Sequence, residues 1–173
     1  MMQKRGQQTF SMSFGMIFSI FLIIAIISVA IFAITKFVGI GRCAKVGLFY
    51  DNIQDEIDRA WSSGSGTYLD EKFEISVDKG VEDVCFGDPA GISATDALTQ
   101  ELKPKFIDSP SGHNIFLDSS KEICSGLESK KITHVEFTPE FFCKSVDQEG
   151  NIEISLSKPE DELLVRIKPD ASI

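Results

Sequence analysis

Acidic side chains are missing from the first 50 residues of this 173-residue chain, and all 26 Asp and Glu lie at or beyond Asp51. Histidine is scarce, with only His113 and His134, and there is one tryptophan. No two cysteines stand in a C-x-x-C spacing, which leaves a zinc finger or ribbon without its ligand set. There is no P-loop, dinucleotide fingerprint, EF-hand loop or nucleophile elbow. Asn52, Asn114 and Asn151 all lack Ser or Thr two places on, so there is no glycosylation sequon. These gaps make an enzyme an unexpected outcome. No catalytic residue, metal site or cofactor is predicted.

What is present is strongly asymmetric. Residues 1–50 carry five Lys and Arg and sum to +5, whereas residues 51–173 sum to −14. A domain of −14 repels phosphate, so no nucleic-acid partner is expected. From Gly6 to Thr35 there is no charge at all. Within that stretch Phe14 to Ile34 is apolar apart from Gly15, Ser19 and Ser28. As a helix these 21 residues would span about 31 Å, close to the hydrocarbon thickness of a bilayer. The run exceeds the apolar region of a removable secretory signal, and Ile31 to Thr35 is a poor cleavage site. Arg42 before Cys43 also spoils a lipoprotein-type signal. The expected anchor is a retained single-pass helix in the lipid bilayer. Lys4 and Arg5 flank one end, and Lys36, Arg42 and Lys45 the other, so charge counting does not orient it.

The cysteines carry the orientation instead. Cys43, Cys85, Cys124 and Cys143 are even in number and scattered, which fits two disulfides in an oxidising compartment. The other reading is four small buried thiols. Three pairings are open, and Cys85 and Cys143 both sit in apolar, strand-like runs. Disulfides would place the C-terminal domain outside the cytoplasm of a cell-membrane protein.

Patterning divides the chain into a basic and polar leader (1–13), a transmembrane helix (14–35), a hinge and amphipathic helix (36–66) and a β-rich domain (67–173). Gly39 and Gly41 predict a hinge or kink. Val46, Phe49, Tyr50, Ile53, Ile57, Ala60 and Trp61 recur at spacings of three and four, forming one apolar stripe. Strands are expected at Lys72–Val77, Val81–Phe86, Asn114–Asp118, Ile132–Thr138, Phe141–Val146, Ile152–Leu156 and Leu163–Ile167. Asp147 to Asn151 reads as a hairpin turn between two of them. Ser93–Leu102 reads as a short helix, and Lys103–Ser111, with two prolines, as loop. The fold class is α+β, an N-terminal helix continuing into an amphipathic helix packed on an antiparallel sheet.

Among polar residues, His134 and Glu136 form an i, i+2 pair without a third ligand. His113 falls in a turn-like Ser-Gly-His-Asn stretch. The acidic run Asp51 to Glu56 lacks a loop glycine and reads as a solvated helix face.

Lys4-Arg5-Gly6-Gln7, followed by a polar stretch and then the apolar helix, resembles the class III signal peptide of archaeal type IV pilins and pilin-like proteins. The resemblance covers about 30 residues by motif and the rest by layout. It implies cleavage between Gly6 and Gln7 by a prepilin-type peptidase, with the helix kept on the mature protein. It departs at Ser11, the fifth mature position, where family members commonly carry Glu, and Thr9 stands where Ser is common. An unprocessed signal anchor gives the same layout. The expected function is a membrane-anchored structural or interaction protein, either a pilin-like surface subunit or an accessory or receptor-like subunit of a membrane complex. Its helix would meet either copies of itself or a membrane-protein partner, with Gly15, Ser19 and Ser28 available for packing.

Overall fold

In a computed structural model the described residues are 7–63, 71–120, 124, 126–159 and 162–169. They form two compact units, divided between Ile40 and Gly41. The elements are α1 (Gln7–Ser62), β1 (Glu71–Ser76), β2 (Asp83–Gly87), α2 (Ala97–Phe106), β3 (Ile115–Asp118), β4 (Ser129–Lys130), β5 (Val135–Phe137), β6 (Phe141–Ser145), β7 (Asn151–Ser157) and β8 (Val165–Pro169). The leader through Gly6 and residues 64–70 lie outside the described residues.

In the first unit α1 leaves its large apolar side chains between 47% and 73% exposed from Met16 to Ile40. Gly39 and Gly41, where a hinge is predicted, lie inside α1 and do not end it. Each glycine disfavours helix by only about 1 kcal/mol, and long helical flanks on both sides offset that.

In the second unit the predicted stripe is the centre of the core. Val46, Phe49, Tyr50, Ile53, Ile57 and Ala60 are each at most 1% exposed. Trp61 departs from the stripe and is 42% exposed, because its ring stacks on a surface histidine instead. The buried Lys158 ends the helix: its ammonium donates to the carbonyls of Trp61 and Ser63, the latter at 2.8 Å. A cation there satisfies orphan carbonyls and suits the negative end of the helix dipole.

The β-rich region holds two four-stranded sheets where one was expected, ordered β1-β7-β8-β5 and β4-β3-β2-β6. Among the named strands the pairings are antiparallel except β5 with β8, which is parallel. The expected hairpin across Asp147–Asn151 is not formed, since β6 pairs with β2 and β7 with β1. The turn itself is built as expected. Asp147 Oδ1 accepts from the amides of Glu149 and Asn151, and Gly150 takes φ +92°. It serves as a corner between sheets.

The second sheet explains the continuous apolar runs. Val84 and Phe86 of β2 and Phe142 of β6 join the main core with α1. Cys85, Phe116, Phe141 and Cys143 point the other way, toward Leu102 and Phe106 of α2. A sheet covered on both faces reads as an unbroken apolar run.

Three of the boundary differences from the sequence reading have a clear physical reason. α2 starts after Asp96, whose Oδ1 accepts from Thr99 N at 2.8 Å as its N-cap, and it runs through Pro104 to Phe106. Burial of Leu102 and Phe106 outweighs the proline in its last turn. The Ile132–Thr138 strand is cut to β5 because His134 adopts φ +62°. The last strand begins at Val165, with Leu163 and Leu164 exposed.

Candidate functional site

The four cysteines form two bridges, Cys43–Cys124 and Cys85–Cys143. Cys85 and Cys143 lie opposite each other in the β2–β6 ladder and are buried in the smaller core. The amide of Cys143 points off the ladder and donates to the buried Thr99 hydroxyl at 2.9 Å. Cys43 and Cys124 are half-buried, and their bridge ties the early part of the amphipathic segment of α1 to the chain beyond β3. Of the candidate processing pair, Gly6 lies outside the described residues and Gln7 is the first residue of α1.

The apolar part of α1 has an 18-residue window of mean hydropathy 3.1, none of it buried. Among the described residues this is the one helix long and apolar enough to cross a membrane. Ser19 and Ser28 bond back to the carbonyls of Gly15 and Ile24, both at 2.8 Å, so each hydroxyl is satisfied within its own helix.

His113 closes a turn from Pro110, as read, whereas His134 departs from its sequence reading. His134 and Glu136 do not share a face, because the left-handed backbone at His134 turns its ring toward α1. There Nδ1 meets Asp58 Oδ1 at 2.9 Å, and the ring stacks on Trp61 at 4.0 Å and 8°. Since the carboxylate can only accept, Nδ1 carries the proton. The indole of Trp61 donates to Leu163 O at 3.0 Å, and Gln54 Oε1 accepts from Thr133 N at 3.0 Å. Glu136 lies instead near Arg166, at 3.9 Å. The cluster clamps the end of α1 to the start of β5 and the approach to β8. The residues 54 to 61 and 133 to 134 are too distant in sequence for any local pattern to join them. Among the described residues, no three His, Cys, Asp or Glu side chains gather as a metal site.

His113 is half-buried, and its Nδ1 meets the Ser129 hydroxyl at 2.8 Å. It lines an open cleft of about 390 Å³ between β2, α2 and β3, together with Asp88, Ser109 and Ser111. Phe106 and Phe116 pack at 5.1 Å beneath it. The sequence reading missed this cleft, since Asp88 sits in what reads as an ordinary loop.

The acidic helix face is solvated and paired. Asp51 meets Lys130 at 3.1 Å, and Glu56 meets Arg59 at 2.8 Å. Beneath it Tyr50 donates to Leu127 O at 2.9 Å. Burial pushes the Tyr50 phenol far above its ordinary value, and the charge of Glu128 adds to that. At the surface, the hydrogen bond to Asp118 raises the Lys105 ammonium above its usual range.

Comparison with family models, curated proteins and solved structures finds no match for this chain.

Proposed function

We propose that this chain is a single-pass membrane protein that carries its disulfide-bonded domain outside the cytoplasm and acts as a structural or interaction subunit of pilin-like kind. The observation that carries the reading is the apolar half of α1, whose most apolar 18-residue window has no buried residue, joined in one chain to a domain with two disulfides. Seventeen large apolar side chains with no protein cover need a non-aqueous solvent, and a bilayer or a bundle of like helices supplies one. The bridges fit an oxidising compartment. The −14 charge of residues 51–173 argues against nucleic acid and against an anionic cytoplasmic leaflet. In this reading the protein has no catalytic role and works through its helix and its surface.

The processing step is tested by intact mass and N-terminal sequencing of protein from native membranes, with and without reductant. A start at Gln7 is the expected result, together with no free thiol. Detection of the uncleaved Met1 or Met2 form alone would sink the pilin-like version. Ser11 in place of the usual acidic residue favours one specific second reading, an unprocessed accessory subunit of a membrane complex. Four free thiols in that sample would overturn the topology.

A further inference from the structure

The cleft between β2, α2 and β3 has a polar composition that the packing of the domain does not use. Its volume, about 390 Å³, lies in the range of small-ligand sites. We propose that it binds a neutral polyhydroxylated ligand, a sugar unit.

The charge of the lining narrows the choice. Among the described residues Asp88 is its only carboxylate, and no lysine or arginine lines it. A phosphate, sulfate or carboxylate ligand would meet a like charge with nothing to compensate it. A wholly apolar ligand would strip water from polar groups without replacing their hydrogen bonds.

The hydrogen bonds already made show what remains for a ligand. Asp88 Oδ1 accepts from Ala90 N at 2.9 Å, which leaves Oδ2. The ring of His113 is held through Nδ1 by Ser129, which leaves Nε2. Ser109 and Ser111 add two hydroxyls. Asn114 offers less, because its amide already exchanges two hydrogen bonds with the Ile132 backbone, at 2.7 and 2.8 Å, which leaves one N–H. Beside these groups the exposed Ile107 and the packed Phe106 and Phe116 give an apolar side. A pyranose matches both halves: its hydroxyl edge meets a carboxylate, an imidazole and hydroxyls, and its C–H face meets the apolar wall. A carboxylate that accepts from adjacent hydroxyls makes the stronger, charge-assisted kind of hydrogen bond.

The test uses the full chain in phosphatidylcholine nanodiscs, which avoids glycoside detergents. Saturation-transfer NMR is run at about 10 mM with glucose, galactose, mannose and N-acetylglucosamine, since such contacts give affinities near the millimolar range. Glucose 6-phosphate and choline serve as the anionic and cationic probes. The expected result is transfer to at least one neutral sugar, with less to both charged probes. Asp88→Asn keeps the acceptor for Ala90 and should weaken binding about tenfold or more. Ser111→Val, at an exposed position, should weaken it severalfold with an unchanged melting temperature. Tighter binding of a disaccharide than of its monomer would point to a polymer as the source, and equal binding to a free sugar. No transfer to any neutral sugar, stronger transfer to choline or to the phosphate, or binding unaltered in both variants would overturn the proposal.

Discussion

The two halves of α1 have the same secondary structure and nearly opposite surroundings. Between Met16 and Ile40 every large apolar side chain is about half or more exposed, and Lys36 is the one charge in the range. From Val46 to Ala60 the apolar residues, apart from the exposed Leu48, keep to one stripe, and that stripe is closed to solvent. The difference lies in the distribution of polar residues around the helix. A stripe needs a protein surface opposite it, whereas an all-round apolar helix needs a solvent without water. Helix formation alone says nothing about which solvent applies, and the pattern does.

The comparison can be attacked at several points, in order of expected size. Removing a disulfide from the second unit should cost the most. The Cys85→Ala/Cys143→Ala pair opens a cross-link of 58 residues, and Cys43→Ala/Cys124→Ala one of 81. The chain-entropy relation gives about 4 kcal/mol for each. Chemical denaturation of the full chain in micelles, followed by circular dichroism, reads the loss, and a loss below about 1 kcal/mol for both would remove the bridges from the stability argument.

Next, the same substitution should act differently in the two halves. Phe49→Ala empties a fully buried site and should destabilise the domain by about 3–5 kcal/mol. Phe21→Ala, at a position 68% exposed, should leave the domain's unfolding midpoint where it was. Equal losses would show that the first half is also part of a protein core.

A charge in the middle of the exposed half is the third test. Ile27→Arg should cost roughly 3 kcal/mol of membrane insertion and lower the fraction retained after carbonate washing. Unchanged retention would argue that this segment is not lipid-facing.

The smallest effect belongs to Tyr50. Burial raises its phenol above the ordinary value in the fold, while in the unfolded chain it ionises near pH 10. Above about pH 10 the unfolded state therefore holds fewer protons than the folded one, and stability falls as pH rises. Tyr50→Phe should cost about 1 kcal/mol at pH 7, from the lost bond to Leu127, and flatten that alkaline decline. Parallel curves for the two proteins above pH 10 would rule out Tyr50 as the source.

The sequence made the helical part legible because its signals are local. The Val46–Ala60 periodicity and the alternation of Phe73, Ile75 and Val77 each follow from adjacent residues. Strand partnership is another matter. Phe141–Val146 and Ile152–Leu156 around a good turn look like a hairpin, yet they enter different sheets because Cys143 registers on Cys85 and Ile154 on Phe73. Such choices are made by pairings dozens of residues apart. The proline at 104 suggested loop, but the burial of Leu102 and Phe106 decided for helix. His134 was read as a mid-strand residue. Its left-handed backbone and its stack on Trp61 belong to a contact across 73 residues, which no window along the chain contains. The cleft at Asp88 was invisible for the same reason, since its lining comes from residues 88–90 and 106–116.

The Cys43–Cys124 bridge also has a mechanical meaning. Cys43 is the third residue of the second unit, so tension transmitted along α1 from an anchored first unit reaches it almost at once. There the load passes through the sulfur atoms, and the 81 residues of separation are taken out of the force path. Fully extended, that stretch would release about 270 Å of slack. With the bond intact it releases none, so the part of the domain between the two cysteines behaves under load as a closed link and not as a coil waiting to be paid out.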